Sequence, residues 1–480
     1  MSDTELTQEA SRARAPSSRL VPVIIGSALF MQTLDSTIIA NALPAMAQAL
    51  HENPLHLNLA LSAYFLSTGV FMPISAWLAD RFGSRRVFMA AIALFAITSA
   101  ICGLSENLLQ LVLARAAQGM AGAMMIPVGR LVLLKTVPKS ELVNALTILT
   151  VPALIGPIAG PLIGGSIVTF GSWRWIFFIN IPIGLLGLVL VNAFVPNVRE
   201  ETSRDVDAVG FIIAGTGLAA LVYGFDNLGR DMIPPSLVAT LILGGVLLLW
   251  IYARHARRIA HPIMDLSLFD IQTFRVSVVG GLFSRFILGA SPFLLAIMLQ
   301  VTFGLSAFAA GLLTFASGAG ALFMKGIAPP LLRRYGFRRI LIVNTVVTAL
   351  ATASYALIKA DTPHLLVLLV LFVGGLFRSL QFTALNAIAF ADVSQGKMSN
   401  ASSVSSVGQQ LSQAVGVGLA AITLHITALT HPGTPISQIS VAPAYIAIAF
   451  LSLCSLFYFF SLPHDVAQEM SGYKHESETE

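Results

Sequence analysis

The sequence predicts an all-α polytopic membrane protein with fourteen transmembrane helices. Only 11% of the 480 residues are charged, against about 25% in soluble domains, so the chain has too little charge to cover a water-facing surface. The apolar residues also come in blocks of about 20 or more, which is the length a helix needs to cross ~30 Å of hydrocarbon. The mean hydropathy of +0.82 agrees with both observations.

The apolar segments can be placed in order along the chain. They cover residues 20–46, 56–79, 86–104, 107–135, 141–169, 174–195, 207–226, 234–254, 273–302, 306–329, 338–358, 363–391, 399–428 and 441–462. The Ala-x-Ala string at residues 40–42 is like the cleavage site of a secretory signal peptide. The apolar segment before it is too long for such a peptide and contains Asp35, so we interpret it as a retained membrane helix.

The basic residues predict the orientation. With the N-terminus in the cytoplasm, most loop Lys and Arg fall on the cytoplasmic side, and the opposite loops keep only Arg174, Arg230 and Lys359. Cytoplasmic loops are enriched in Lys and Arg, so both termini are predicted to be cytoplasmic. These loops also explain the pI of about 9.4, and no nucleic-acid partner is expected. We expect a monomer in the lipid bilayer of a bacterial inner membrane.

An internal repeat divides the chain. The pattern Arg-aromatic-Gly-x-Arg-Arg occurs at residues 81–86, after the second segment, and again at 334–339, after the tenth. Setting aside the two middle segments leaves six plus six, an arrangement typical of transporters whose substrate site lies between the halves. The predicted organisation is a tail at 1–19, a six-helix bundle at 20–200, two linker helices at 201–262, a second six-helix bundle at 263–462 and a tail at 463–480.

Several motifs resemble those of the major facilitator superfamily. Residues 76–86 resemble its signature loop, although Ala76 replaces the first Gly and Ser84 replaces one basic residue. Residues 34–44 and 111–123 are similar to the first-helix and fourth-helix motifs of proton-coupled drug antiporters.

Two more motifs extend this resemblance over nearly the whole chain. Residues 156–165 resemble the fifth-helix antiporter motif, and residues 173–184 are typical of the fourteen-helix branch. The resemblance implies the major facilitator fold with a 6+2+6 arrangement and a transporter rather than an enzyme.

Asp35 and Arg115 are the candidate proton-coupling residues. Asp35 lies about fifteen residues, or roughly 22 Å, into the first helix, and it is the one carboxylate placed deep in the membrane. Burial and neighbouring cations move the pKa of a carboxyl group in opposite directions, so its protonation would depend on whether the cavity is open. The resemblance implies a proton-transfer role for Arg115. The alternative is a static ion pair that holds two helices together.

Polar side chains inside the apolar segments are the candidate substrate-binding residues. They are Gln32, Gln118, Arg285, Arg378, Gln381, Gln409 and Gln413. A charged residue at the centre of a membrane helix costs about 2.5–3.5 kcal/mol, so it is expected to face the bundle interior. Arg115, Arg285 and Arg378 outnumber the single carboxylate, which fits an anionic or zwitterionic substrate. The alternative is that these arginines bond backbone carbonyls at helix breaks.

The signature loop is a candidate conformational latch. Its residues are Asp80, Arg81, Gly83, Arg85 and Arg86, at the cytoplasmic end of the second helix. The resemblance implies a salt-bridge latch that breaks when the two halves rock against each other. The alternative is a solvated cluster of charges that only sets the topology.

The fifth helix carries a candidate hinge. Gly156, Gly160 and Gly164 recur every four residues and lie on one helix face, where small residues let a neighbouring helix approach closely. Pro157 and Pro161 remove two backbone donors and favour a bend. The resemblance implies a hinge or tight seal, and the alternative is ordinary packing of small residues.

These features together predict a proton-coupled efflux transporter that exports small amphipathic compounds by alternating access. No Gly-x-x-x-x-Gly-Lys-Ser/Thr string is present, so the proton is the expected coupling ion and no cofactor is expected. The two cysteines, Cys102 and Cys454, lie in apolar stretches and predict no metal site. An alternative substrate is an organic anion, such as a carboxylate metabolite or chelator. A receptor is disfavoured because the chain has no sizeable soluble domain.

Overall fold

The structure, a computed structural model, describes residues 20–39, 42–52, 57–197, 205–229, 233–430 and 441–471. This part of the chain is helical and contains no strand. The predicted tail at 1–19 and the last residues of the predicted C-terminal tail lie outside it.

The N-terminal half is built from nine described helices of unequal length. They are α1 (Leu20–Ile38), α2 (Leu43–Ala49), α3 (Asn58–Phe71), α4 (Ser75–Phe82), α5 (Ser84–Leu104), α6 (Leu108–Thr136), α7 (Lys139–Phe170), α8 (Trp175–Phe178) and α9 (Asn180–Phe194). A 3₁₀ turn at Met72–Ile74 joins α3 to α4.

Two linker helices and the C-terminal half follow. The linker helices are α10 (Ala208–Asp226) and α11 (Pro235–Ala256). The C-terminal half contains α12 (Gln272–Arg275), α13 (Gly281–Ala296), α14 (Ala307–Ser354), α15 (His364–Ile388), α16 (Met398–Leu429), α17 (Ala442–Ser452), α18 (Leu456–Phe459) and α19 (Gln468–Ser471). A π-helical stretch at Val276–Gly280 precedes α13.

The repeated loop motif has the same backbone geometry in both halves. Gly83, between α4 and α5, has a φ of +90°, and Gly336, inside α14, has a φ of +70°. These values lie in the left-handed region that glycine adopts without strain. A Cβ atom on Gly83 would also lie 2.5 Å from the side chain of Asn197. The central Gly of the motif therefore makes the reversal between consecutive membrane helices.

Among the described residues, 12 helical stretches are long and apolar enough to cross a membrane. The predicted number, fourteen, is not confirmed by this count. One stretch, Ala309–Leu357, has 49 residues and contains the break at Gly336. At 1.5 Å per residue it would be ~74 Å long if straight, more than twice the hydrocarbon thickness. The 32-residue helix α7 is not among the 12.

The first linker helix contacts both halves. A Cβ atom on Gly215 of α10 would lie 2.8 Å from the backbone oxygen of Val70 in α3. At the other end of α10, Phe225 occupies the space beside Gly418 of α16. Close approach at glycine lets α10 lie against the backbone of the N-terminal half as well as against α16.

The two halves meet at the end of the molecule that carries the loops at 81–86 and 333–339, here called the basic face. Ser403 of α16 donates a hydrogen bond to the backbone oxygen of Met72 (3.0 Å), and Ser402 donates to that of Pro127 (2.7 Å). Lys139 Nζ donates to the backbone oxygen of Ala391 over 3.1 Å. These hydrogen bonds join the halves close to the basic face.

Candidate functional site

Asp35 is enclosed within the N-terminal half, where it is 1% exposed. Its Oδ2 atom accepts a hydrogen bond from Arg115 Nη1 over 2.6 Å. Its Oδ1 atom accepts from Gln118 Nε2 over 3.1 Å and from Asn180 Nδ2 over 2.9 Å. The structure therefore brings the two predicted proton-coupling residues into direct contact. The donors come from α6 and α9 and make up a network with the carboxylate of α1.

Neighbouring side chains hold this network in place. The guanidinium carbon of Arg115 lies 4.3 Å from the ring centroid of Tyr64 in α3, a cation–π contact. Asn180 Nδ2 also donates to Ser99 Oγ in α5 over 2.9 Å, and that hydroxyl donates to the backbone oxygen of Phe177 over 2.9 Å. Removing one partner of a buried ion pair lowers the stability of a protein by about 3–5 kcal/mol. The contact between Asp35 and Arg115 therefore holds α1 against α6.

The glycines of the predicted hinge contact the same helix that carries Asp35. A Cβ atom on Gly156 would lie 2.3 Å from Thr33 Oγ1, and one on Gly160 would lie 2.3 Å from Thr37 Oγ1. A Cβ atom on Gly164 would lie 2.8 Å from Ile38, also in α1. The glycine face of α7 thus packs against α1. The sequence could not specify this partner. The side chains of Pro157 and Pro161 lie outside the described part of the structure.

Two of the predicted substrate residues belong to the interior of the N-terminal half. Gln118 is fully buried and contacts both Asp35 and Arg115. Gln32 donates to the backbone oxygen of Gly122 over 3.1 Å and to the hydroxyl of Tyr64 over 3.3 Å. These contacts connect both glutamines to the Asp35 network rather than to the space between the halves.

Arg285 of α13 is 1% exposed, and its Nη1 atom donates to the backbone oxygen of Ser277 over 2.8 Å. Ser277 lies in the π-helical stretch Val276–Gly280, where the regular carbonyl pairing of an α-helix is interrupted. This contact matches the alternative expectation that an arginine bonds a carbonyl at a helix break. Nε and Nη2 of Arg285 have no hydrogen-bond partner among the described residues.

The other predicted substrate residues of the C-terminal half have different hydrogen-bond partners. Arg378 contacts the hydroxyl of Ser317. Gln381 accepts a hydrogen bond from Asn344 Nδ2 over 2.8 Å and donates one to Thr345 Oγ1 over 2.9 Å. Its amide therefore links α15 to α14. Both amide atoms of Gln381 are therefore already bonded to helix neighbours.

Gln409 and Gln413 lie one turn apart on α16 with different surroundings. Gln409 is 8% exposed, and its carboxamide lies 2.9 Å from Asn386 Oδ1. Gln413 has an exposed side chain, and its backbone oxygen lies against Gly289 of α13.

Arg130 is a buried cation that joins the two halves and that the sequence interpretation missed. It lies in α6, is 5% exposed, and its Nη1 donates to Ser405 Oγ over 3.4 Å. Its Nη1 atom also lies 3.1 Å from the carboxamide of Gln409, and its guanidinium carbon lies 5.8 Å from the ring centroid of Phe390. The available signal was a charge inside the apolar segment 107–135, the same criterion that selected Arg115.

Lys325 was missed in the same way, inside the apolar segment 306–329. It is 5% exposed in α14, and its ammonium group donates to Thr383 Oγ1 of α15 over 2.8 Å. The ring centroid of Phe382 lies 5.7 Å from its Nζ atom. No described carboxylate lies within ion-pair distance of this group. Lys325 is therefore a buried cation in the C-terminal half that has no described counter-charge.

The residues of the predicted latch take separate positions at the basic face. Asp80 contacts Lys135 Nζ (3.5 Å) in its own half and the hydroxyl of Ser399 at the start of α16. Arg85 Nη1 donates to the backbone oxygen of Val195 over 3.4 Å, at the end of α9.

Two latch arginines remain at the surface. Arg81 is exposed beside the ring of Trp77, and Arg86 is exposed. Within the described ranges, the contact between Asp80 and Ser399 reaches from this loop across to the other half.

Comparison with known proteins agrees with this architecture. The family model of the Major Facilitator Superfamily matches residues 25–417. A protein of Pectobacterium carotovorum subsp. carotovorum (strain PC1), named "Putative multidrug resistance protein MdtD", is 37% identical over 433 residues, which is 90% of this chain and 93% of the relative. The protein of that name from Escherichia coli (strain SMS-3-5 / SECEC) is 36% identical over 452 residues, covering 93% and 95%.

Solved structures share the fold. The proton:xylose symporter XylE superposes with a TM-score of 0.66 at 14% identity, covering 95% of this chain and 98% of that one. The human organic anion transporter MFSD10 superposes with a TM-score of 0.63 at 14% identity, covering 92% and 100%. A membrane bundle of two halves with this fold defines a transporter, not an enzyme. The chain belongs to the major facilitator superfamily.

Proposed function

We propose that this protein is a proton-coupled efflux transporter that exports small amphipathic compounds by alternating access. The observation that carries the proposal is the enclosed network of Asp35, Arg115, Gln118 and Asn180. It places a carboxylate, the usual proton acceptor in membrane transporters, against an arginine inside one half. The relatives named as multidrug resistance proteins support small amphipathic compounds as the exported class.

The proposal includes an orientation and a conformational state. We assign the basic face to the cytoplasm of a bacterial inner membrane, because Lys and Arg concentrate on cytoplasmic loops. The hydrogen bonds between the halves then lie on the cytoplasmic side, which corresponds to an outward-facing arrangement. Counting α7 and dividing α14 at Gly336 gives the fourteen spans of the proposal, in a 6+2+6 order.

Proton coupling is tested with purified protein in proteoliposomes. A pH gradient should drive uptake of a fluorescent amphipathic compound into vesicles by the wild type. Asp35→Asn should lose the gradient-driven part of transport, because its amide cannot release a proton. Glu106→Gln is the matched control, since Glu106 is an exposed carboxylate near the N-terminal end of α6. Gradient-driven transport by Asp35→Asn at the wild-type rate would rule out Asp35 as the coupling site.

An organic anion is the second candidate substrate, although the names of the relatives do not favour it. The observation behind it is that Arg130, Arg285 and Lys325 are buried and form no described ion pair. A buried charge without a partner is costly, and an anion between the halves would offset that cost. Export of carboxylates and cationic dyes should be compared in the wild type and in Arg130→Gln. A selective loss of carboxylate export would favour the anion.

A further inference from the structure

Asn180 is the first residue of α9 and lies at the centre of the Asp35 network. It is fully buried, and its Nδ2 atom donates both to Asp35 Oδ1 and to Ser99 Oγ, each over 2.9 Å. Both hydrogens of the amide are therefore used. Its Oδ1 atom is buried and has no hydrogen-bond partner among the described residues.

The other members of the network suit only the ionised form of Asp35. Arg115 carries donors and no acceptor. Gln118 donates through Nε2, and its Oε1 atom already accepts from Arg115 Nη1 over 2.6 Å. A protonated Asp35 carries an O–H group that needs an acceptor, and a buried donor left without one is costly. Asn180, whose Nδ2 atom already contacts this carboxyl group, carries an unpartnered acceptor in its Oδ1 atom.

We propose that Asn180 is a positioning residue that serves both protonation states of Asp35 by rotating its carboxamide. With Asp35 ionised, Nδ2 donates to the carboxylate, as in this structure. When Asp35 takes up a proton, a half-turn of the carboxamide exchanges Nδ2 and Oδ1, and Oδ1 accepts the hydrogen bond of the carboxyl group. The proton stays on Asp35, and no covalent bond of Asn180 changes.

Ser99 can follow this rotation. Its hydroxyl now accepts from Asn180 and donates to the backbone oxygen of Phe177. A hydroxyl is both donor and acceptor and can rotate about its C–O bond. After the half-turn it donates to Asn180 Oδ1 instead of Phe177. Both lone pairs of Asn180 Oδ1 are then used, one by Asp35 and one by Ser99, while Nδ2 gives up both of its present hydrogen bonds, which is the cost of the rotation.

The inference rests on the proposed proton coupling and makes a separate prediction about its pH dependence. Asn180→Leu keeps a similar volume but removes the donor and the acceptor. A hydrogen bond to a charged group is about twice as strong as one between neutral groups, so the ionised form of Asp35 loses more. The pH of half-maximal proton-driven transport in proteoliposomes should therefore rise by about one pH unit, a tenfold change in proton affinity. Asn344→Leu, which removes a buried asparagine between α14 and α15, should keep the wild-type midpoint.

A second measurement does not depend on the folding of Asn180→Leu. Infrared difference spectra between high and low pH, recorded with isotope-labelled asparagine, should show a shifted side-chain carbonyl band in the wild type and in Asn344→Leu. The band should be absent from Asp35→Asn, because nothing then protonates beside Asn180. The inference would be overturned if no asparagine signal depended on Asp35. It would also be overturned if folded Asn180→Leu kept the wild-type midpoint. If Asp35→Asn itself keeps normal pH-driven transport, the proposed function fails instead.

Discussion

Ser75 Oγ of α4 and Ser403 Oγ of α16 lie 3.3 Å apart, although 328 positions separate them in the sequence. Both residues are buried, and the contact joins the two halves near the basic face. The proposed alternating access requires such contacts to separate in the opposite conformation, so this pair would report directly on the state of the basic face.

A disulfide at this pair should lock the structure. In a background with Cys102 and Cys454 replaced by Ala, the double variant Ser75→Cys, Ser403→Cys should cross-link under mild oxidation, because the side chains are already close. We expect the cross-linked protein to lose nearly all transport and to recover it on reduction. Each single cysteine variant is the control. Full transport by the fully cross-linked protein would show that the basic face does not need to open.

Asp80 should stabilise the closed basic face through its contacts with Ser399 and Lys135. Asp80→Asn removes the charge while keeping a similar shape, and hydrogen bonds to charged groups contribute about 1.5–3 kcal/mol. We expect faster labelling of a cysteine placed at Ser402 by a soluble maleimide, in the background without Cys102 and Cys454. The control is Asp361→Asn, an exposed position before α15. Unchanged labelling in Asp80→Asn would argue against the latch.

The glycine face of α7 should not tolerate a methyl group. In Gly160→Ala the new Cβ atom would lie 2.3 Å from Thr37 Oγ1, so we expect the free energy of unfolding to fall by about 1–3 kcal/mol. Gly326→Ala, in α14, is the control, because a Cβ atom at that position would have no neighbour within 4 Å among the described residues. Adding Thr37→Ala to Gly160→Ala should restore part of the stability. Thermal unfolding in detergent measures all four proteins, and equal effects of the two glycine substitutions would contradict close packing at Gly160.

Lys325 should reduce stability, because its buried ammonium group has no described carboxylate partner. Replacement of buried charges by apolar side chains is often stabilising by about 1–4 kcal/mol. We therefore expect Lys325→Met to raise the melting temperature, whereas Lys359→Met, at an exposed position, should leave it unchanged. Transport is measured in parallel. A lower melting temperature for Lys325→Met would mean that the hydrogen bond to Thr383 outweighs the cost of burial.

The sequence was informative where a residue type can be accommodated in a membrane in only a few ways. A carboxylate in an apolar segment needs a cation, so the pairing of Asp35 with Arg115 could be expected from the sequence alone. The turn at Gly83 and its repeat at Gly336 were also visible as a motif. In each case the energetic cost of the alternative, an unpaired buried carboxylate or a side chain at positive φ, restricts the structure that the chain can adopt.

The sequence was less informative about where a side chain points and which helix it contacts. Gln118 and Gln381 were assigned to a substrate site, but an amide is equally well satisfied by a neighbouring helix, and only the packing decides between them. The glycines of α7 predicted a close neighbour without identifying α1. Lys325 is visible as a charge in an apolar segment, but the sequence does not reveal that it faces a hydroxyl and not a carboxylate.

The enclosure of Asp35 within the N-terminal half has a kinetic consequence. A proton bound there takes up no room between the halves, so it need not be displaced for a transported molecule to bind. Proton and cargo could then occupy one protein molecule together as a ternary complex. Their exchange would follow from thermodynamic linkage through a shared conformational equilibrium, in which each binds one state more tightly, and not from competition for one place.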